Sequence, residues 1–388
     1  MDSALIQTVK SEFKNRFRKD PLMIASPGRV NIIGEHIDYN NGAVFPAAID
    51  KYVVCGIQKT DQDECSILAL DKKELIHFNL TQLAKFPTGH WANYIIGVIN
   101  ELHQKGLSIA PVEIVFSGNI PMGAGLSSSA ALENAIVFGL NELFQLHLSK
   151  TDMVQISMHA EHHFAGVQCG IMDQFASMFG KKDHAILLNC HDLSFEEVPI
   201  LLDNHKLVLI NSNVKHEHVD SAYNERRRQS EEGFSVLQCK FPELKGLCLA
   251  SINQLKAIQE EISPIVYKRC QFAIQENARV LAAKAALTKK DWKALGELLT
   301  ASHRGLQHLY EVSCPEIDFL VEQAILHPGV LGSRMMGGGF GGCTINLVES
   351  DQINDFVDML QSIYLKQFGQ STDHYMINIT DGTKMIDL

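Results

Sequence analysis

The segment PMGAGLSSSAALENA (121–135) joins a predicted strand, VEIVFSG (112–118), to a predicted helix, ALENAIVFGLNELFQL (131–146). Glycines let a backbone approach a ligand closely, a helix N-terminus directs free N–H groups at it, and the three serines add hydroxyls. The arrangement predicts a phosphate-binding loop. It is not of the Walker A type, because no Gly-Lys-Ser/Thr follows, so the phosphate charge is left to the helix dipole and a cation. The alternative is a loop that only caps the helix.

A second polar segment, PGRVNIIGEHIDYNNG (27–42), lies between two strand-like stretches. Its carboxylates, imidazole and guanidinium offer several oriented donors and acceptors, which suits the many hydroxyls of a sugar. A solvated turn is the alternative, since NNG is itself a strong turn signal. The residues alone leave both interpretations open.

The segment GGGFGG (337–342) formally contains G-x-G-x-x-G. A dinucleotide-binding fingerprint follows a strand and opens a helix, whereas here CTINLV follows and is typical of a strand. We therefore expect a tight glycine turn between two strands, whose backbone packs closely against another lobe or a ligand.

The pattern of the whole chain predicts an α+β protein with two lobes and mixed sheets. Residues 4–17 have the spacing of an amphipathic helix, the following region is rich in strands, and residues 219–326 are mostly helical. We expect an N-terminal lobe (1–195) with both polar segments and a helix-rich C-terminal lobe (196–388) with GGGFGG.

The composition of the chain argues against some classes of function and partner. The 34 Lys and Arg against 45 Asp and Glu give a net charge of −11, which argues against a nucleic-acid-binding surface. Nine scattered cysteines without zinc spacing indicate a reduced, cytoplasmic protein. No apolar run approaches the ~20 residues that span a bilayer, so no membrane partner is expected.

These motifs together resemble the GHMP small-molecule kinase family, and the segment at 27–42 resembles the galactokinase signature within it. The resemblance extends to WANY (91–94), CGIMDQF (169–175), KKDHAILLNC (181–190) and SAYNERRR (221–228). It implies a two-lobed fold with the active site in the cleft. It also implies ATP-dependent phosphorylation of α-D-galactose at the C1 hydroxyl, giving galactose 1-phosphate and ADP, with Mg²⁺ as cofactor.

The resemblance also assigns residues to roles. Asp173 matches the base that accepts the hydroxyl proton, and Arg29 matches the arginine paired with it. The positions that match sugar ligands are Glu35, His36, Ile37, Asp38, Gly170 and Tyr223. The positions that match ATP ligands are Gly123, Ala124, Gly125, Leu126, Ser127, Ser128, Ser129, Trp91 and Tyr94. Ser129 and Glu161 match the residues that hold Mg²⁺.

Two positions depart from the family pattern. Ile37 and Met336 each stand where the family commonly has Thr. Ile37 lies inside the sugar segment, and relatives acting on N-acetylgalactosamine share the same motifs, so an N-acetylgalactosamine kinase or another GHMP kinase is the alternative. A non-catalytic galactose and ATP sensor is disfavoured, because the loop, Asp173 and the metal positions are all present. Galactose and ATP are the expected small-molecule partners, and no oligomeric partner is implied.

Overall fold

The computed structural model describes residues 2–121, 123–215 and 219–387. The strands are β1 (Leu22–Asn31), β2 (Ala43–Val44), β3 (Pro46–Lys59), β4 (Cys65–Ala69), β5 (Glu74–Phe78), β6 (Val112–Gly118), β7 (His184–Asn189), β8 (Phe195–Pro199), β9 (His205–Lys215), β10 (Val330–Met335), β11 (Gly341–Glu349), β12 (Asp373–Met376) and β13 (Lys384–Met385). The helices are α1 (Ser3–Phe17), α2 (Ala92–Gln104), α3 (Ser128–Phe144), α4 (Lys150–Ala160), α5 (Met172–Phe179), α6 (Val219–Lys240), α7 (Ile252–Ala257), α8 (Pro264–Thr288), α9 (Trp292–Gly305), α10 (Pro315–Ala324) and α11 (Ile353–Phe368).

A six-stranded sheet in the order β13-β1-β3-β6-β4-β5 carries the first half of the fold. Its neighbours pair antiparallel except β4 and β6. Side chains alternate between the two faces of a strand, so Met23 and Ala25 pack with α1 on one face while Ile24 faces the main core. Helix α3 packs on β1 and β3, and its largely apolar surface is buried.

A four-stranded antiparallel sheet, β10-β11-β9-β12, and the helices from α6 onward form the second half. Helix α8 begins sharply because Ser263 caps it and Pro264 occupies its first turn. The third sheet, β2-β7-β8, is small. Its strand β2 begins directly after the polar segment at 27–42.

The C-terminal tail returns to the first sheet. β13 pairs antiparallel with β1, with Ile24 opposite Met385. Just before it, the Thr383 backbone N–H donates to Ser177 O at 2.8 Å, on helix α5. The tail therefore ties α5 to β1.

Most sequence predictions of this fold are confirmed. The helix at 4–17, the strand at 112–118 and the α+β class all appear as expected. The glycine turn between two strands also appears, and four of its glycines have positive φ, among them Gly339 at 88°. The division at residue 195 stays a prediction. All nine cysteines are free, and none of the helices formed by the described residues is both long and apolar enough to cross a membrane.

Candidate active site

Two cavities adjoin the loop between β6 and α3. The small cavity, of about 130 Å³, is lined by Arg29, Glu35, His36, Asp38, Glu161, Val167, Cys169, Gly170, Met172, Asp173, Tyr223, Gly337 and Gly338. The large cavity, of about 530 Å³, is lined by Val53, Ala69, Asp71, Lys72, Trp91, Tyr94, Phe116, Gly118, Asn119, Ile120, Pro121, Ser128, Ser129 and Leu132. The small cavity thus gathers residues of the polar segment at 27–42 and of GGGFGG around Asp173.

A β-bulge places Arg29 against Asp173. The register between β1 and β3 shifts between Pro27 and Arg29, and bulges redirect a side chain in this way. Arg29 Nε and Nη2 each donate to one Asp173 oxygen at 2.7 Å, a bidentate pair. Burial disfavours the charge on Arg29, but Asp173 and Glu35 outweigh it and keep the guanidinium pKa above its usual value. Asp173, 27% exposed in its side chain, keeps an open side toward the cavity.

The glycine loop is bonded to the same pair. The Ser127 hydroxyl donates to Asp173 Oδ2, and Arg29 Nη1 donates to Gly125 O. Every second residue from Gly123 to Ser127 has positive φ, and Ser127, at 56°, adopts it without being glycine. Such alternation turns successive N–H groups inward into an anion-binding nest. The sequence missed the Ser127–Asp173 contact, which fixes the loop relative to the carboxylate.

The large cavity has an aromatic wall and a polar end. Trp91 packs edge-on against Phe116, with ring centroids 5.3 Å apart, and its Nε1 donates to Glu74 Oε2 at 2.6 Å. Ser128 and Ser129 lie at the start of α3, where the backbone N–H groups lack helical partners. Phe116 also lines this cavity, although no sequence motif includes it.

Three carboxylates crowd the floor beneath the loop. Glu161, the first residue of a π-helical turn (Glu161–Ala165), accepts from the Ser129 hydroxyl at 3.3 Å. Gln174 Nε2 bridges it to Glu133, at 2.8 and 3.2 Å. Burial, and then Asp173, raises the pKa of Glu161 to about 7, and burial together with Glu161 raises the pKa of Glu133 well above its usual value.

This floor fits a bound cation. Glu133 Oε1 is buried without a hydrogen-bond partner, and a cation beside the crowded carboxylates would favour their ionised forms. Among the described residues no group of three or more His, Cys, Asp or Glu forms a metal site of its own. Mg²⁺ needs only one or two carboxylates besides phosphate and water, so Ser129 and Glu161 suit it.

Glu35 joins the first motif to the third. Its Oε1 accepts from Gly337 N at 2.8 Å and from both Nη atoms of Arg334 at 3.2 Å, while Oε2 accepts from Asn31 at 3.0 Å. Arg334 is fully buried and also donates to Ile32 O. Arg334 was not among the predicted site residues, although a charged residue between buried strand positions is a sign of a buried partner.

His36 has both ring nitrogens engaged within the protein. Nε2 lies 3.1 Å from Gly338 O, so it carries the proton and donates. Burial lowers the pKa of His36 to about 3, so Nδ1 is unprotonated and accepts from the Tyr39 hydroxyl at 2.7 Å. A molecule bound in the small cavity would therefore meet the ring of His36 rather than a free ring nitrogen.

Asp38 and Gly170 are in close contact. A Cβ on Gly170 would lie 2.0 Å from Asp38 Oδ2. Burial, and then the charge of Asp173, raises the pKa of Asp38 to about 6. Tyr223 completes this wall, with its ring 5.1 Å from that of His36. Ile37 is fully buried in the core and does not line the cavity.

Comparison with known proteins gives three family matches. The model described as "GHMP kinases N terminal domain" matches residues 93–181. That described as "GHMP kinases C terminal" matches 283–366, and "Galactokinase galactose-binding signature" matches 11–59. These ranges contain the glycine loop, Asp173 and the polar segment at 27–42.

Similar sequences and structures cover nearly the whole chain. A galactokinase of Thermosipho africanus is 42% identical over 94% of this chain and 100% of its own length. One of Clostridium acetobutylicum is 39% identical over 99% and 100%. The crystal structure of Lactococcus lactis galactokinase complexed with galactose superimposes with a TM-score of 0.94, at 34% identity, covering 98% and 99% of the two chains. A mevalonate kinase, at 17% identity and a TM-score of 0.64, shares the fold.

Proposed function

Because this chain belongs to the galactokinase family of GHMP kinases, we propose that it transfers the γ-phosphoryl group of ATP to the C1 hydroxyl of α-D-galactose. The products are galactose 1-phosphate and ADP. One structural observation supports the proposal above all. Asp173 is held by Arg29 and by Ser127 of the glycine loop, and it faces a cavity lined by residues of the polar segment at 27–42.

Asp173 acts as the base. In the proposed reaction it accepts the proton of the C1 hydroxyl while that oxygen forms a bond to the γ-phosphorus, and the bond to the β-phosphate oxygen breaks, its electron pair leaving with ADP. The bidentate contact with Arg29 orients the carboxylate toward the cavity. Arg29 also offsets negative charge on the transferring group.

The remaining assigned residues bind the two substrates. Glu35, Asp38 and Tyr223 surround the sugar with donors and acceptors. The large cavity takes the nucleotide, with its base beside Trp91 and Tyr94 and its phosphates on the glycine loop. Ser129 and Glu161 would hold Mg²⁺, which when bound offsets charge on the β- and γ-phosphates.

The activity is tested by following ADP release with ATP, Mg²⁺ and one sugar or alcohol at a time. Galactose should be turned over, and glucose and mevalonate should not. 1-Deoxygalactose, which lacks the attacking hydroxyl, should be inert if phosphorylation occurs at C1. No turnover of galactose would contradict the proposal. Turnover of N-acetylgalactosamine that is faster than that of galactose would make N-acetylgalactosamine the assigned substrate.

Glu161→Gln tests the metal position. We expect the Mg²⁺ concentration for half-maximal activity at fixed ATP to rise about tenfold, because an amide is a weaker ligand than a carboxylate. Glu101→Gln is the matched control: Glu101 is buried to the same degree, 7% against 8% exposed, but pairs with His163. An Mg²⁺ titration unchanged in Glu161→Gln would show that the ligand lies elsewhere.

A further inference from the structure

Two consecutive residues of helix α8 hold the two ends of the stretch that contains Glu35, His36 and Asp38. The Gly34 backbone N–H donates to Glu276 Oε1 at 3.1 Å, and the Ala43 backbone N–H donates to Asn277 Oδ1 at 2.8 Å. Both acceptors lie on α8, more than 230 residues away in sequence. The segment between the two N–H groups, 34–43, is here called the sugar loop.

These two N–H groups need partners from outside the first sheet. β1 ends at Asn31 and β2 begins at Ala43, so the backbone of the sugar loop before Ala43 does not belong to any strand. Gly34 is buried and has a φ of 107°, a conformation that takes its N–H out of a regular ladder. A buried backbone donor without a partner is costly, so Glu276 fixes the start of the loop at Gly34, and Asn277 holds the half-buried Ala43 at its end.

The two acceptors are themselves fixed in place. Glu276 is fully buried and accepts from the Ser302 hydroxyl at 2.6 Å and from Arg279 Nε at 2.6 Å. Asn277 Nδ2 donates to Cys248 O at 3.0 Å, which also settles which side of its amide faces Ala43. Consecutive helical residues point about 100° apart, so one rigid turn can reach both ends of the loop.

Neither residue lines the small cavity. Glu35, His36 and Asp38, which lie between the two held ends, all line it. The reacting pair, Asp173 and Arg29, stands on α5 and β1, outside the sugar loop.

We propose that Glu276 and Asn277 are positioning residues for the sugar: they fix the two ends of the sugar loop against α8 and so set the affinity for galactose. The proposal rests on the proposed function in taking galactose as the ligand. It predicts an effect on the galactose KM that is separate from kcat and from the KM for ATP.

Asn277→Leu tests it, because leucine has a similar volume and cannot accept the Ala43 N–H. We expect the galactose KM to rise about tenfold, because the variant loses a partly buried hydrogen bond, with kcat and the ATP KM within about twofold. Asn277→Asp keeps the acceptor for Ala43 and should recover most of the affinity. Glu276→Gln keeps an acceptor for Gly34 and should raise the galactose KM less than Asn277→Leu.

Asn141→Leu is the matched control. Asn141 Oδ1 accepts the Leu148 backbone N–H at 2.9 Å near the end of α3, remote from both cavities, so its loss affects stability alone. Equal increases of the galactose KM in Asn141→Leu and Asn277→Leu would overturn the proposal, as would equal increases for galactose and ATP in Asn277→Leu.

Hydrogen–deuterium exchange of the sugar-free protein gives a readout that needs no turnover. Peptides covering 34–43 should exchange faster in Asn277→Leu and, to a smaller extent, in Glu276→Gln, because a neutral amide is a weaker acceptor for the Gly34 N–H than a carboxylate. The β1 peptide 22–31 should not change. Exchange in the sugar loop equal to wild type in both variants overturns the proposal. If the loop exchanges faster but the wild type does not phosphorylate galactose, the proposed substrate is wrong and the positioning role stands. Should Asn277→Leu fail to fold, the same exchange comparison in Glu276→Gln decides.

Discussion

Replacing Asp173 with asparagine is expected to lower kcat with galactose by about a thousandfold, within the range for a lost general base. An amide cannot take up the proton of the C1 hydroxyl. The substitution preserves shape, and an amide oxygen at the Oδ2 position still accepts from Arg29 Nη2 and from the Ser127 hydroxyl, although Arg29 Nε loses its acceptor. Galactose should therefore still bind, with a Kd within about tenfold of wild type, a change worth at most ~1.4 kcal/mol. Steady-state kinetics and calorimetric titration measure the two quantities separately.

Asp318→Asn controls for the loss of a paired carboxylate. Asp318 is similarly exposed, 23% against 27% for Asp173, accepts from the Ser313 hydroxyl and lies 3.4 Å from His303 Nε2. It lines neither cavity, so this variant should keep its turnover. A kcat for Asp173→Asn within about tenfold of wild type, below the contribution expected of a general base, would rule out Asp173 as the base.

Gly170→Ala is expected to raise the Kd for galactose about a hundredfold, roughly 2.7 kcal/mol. The backbone of Gly170 has no positive φ, so the angle itself does not demand glycine. The new Cβ would lie 2.0 Å from Asp38 Oδ2 and 2.2 Å from its Cγ. The Asp38 carboxylate must then move away from the small cavity, and a sugar hydroxyl loses its partner. Calorimetric titration with galactose checks the affinity.

Gly56→Ala is the matched substitution. Gly56 also lacks a positive φ, and its Cβ would approach only side-chain atoms of Pro21 and Met23, at 3.2 Å or more. This variant should bind galactose as wild type does. Affinity retained in Gly170→Ala would mean that Asp38 does not contact the sugar.

Local patterns predicted the parts of the site that are contiguous in sequence. The order of strand, glycine loop and helix at 112–144 follows from residue type and spacing, and the loop lies where the pattern places it. Gly337 and Gly338 line the small cavity, as expected for a turn that packs against a ligand. Glu35 and Asp38 were found because they crowd a single short segment.

The partners that hold those residues could not be found in this way. Arg334 meets Glu35 across 299 residues, and Glu276 meets Gly34 across 242. No periodicity encodes a contact between one side chain and a distant backbone N–H. Short strands were also missed: β13 has two residues and forms only because β1 offers an edge. For Ile37 the resemblance assigned a residue too many to the cavity. Its neighbours His36 and Asp38 line the small cavity, whereas the Ile37 side chain is buried in the core.

The pairing of β13 with β1 has a consequence for synthesis of the chain. Ribosomes make β1 well before β13, so one edge of β1 stays open until the tail has been synthesised, and an open strand edge is a template for wrong pairing. The tail also contacts Ser177 on the helix that carries Asp173. A nascent chain can thus hold every residue assigned to the sugar and the nucleotide and still lack the strand that completes the surroundings of the reacting pair.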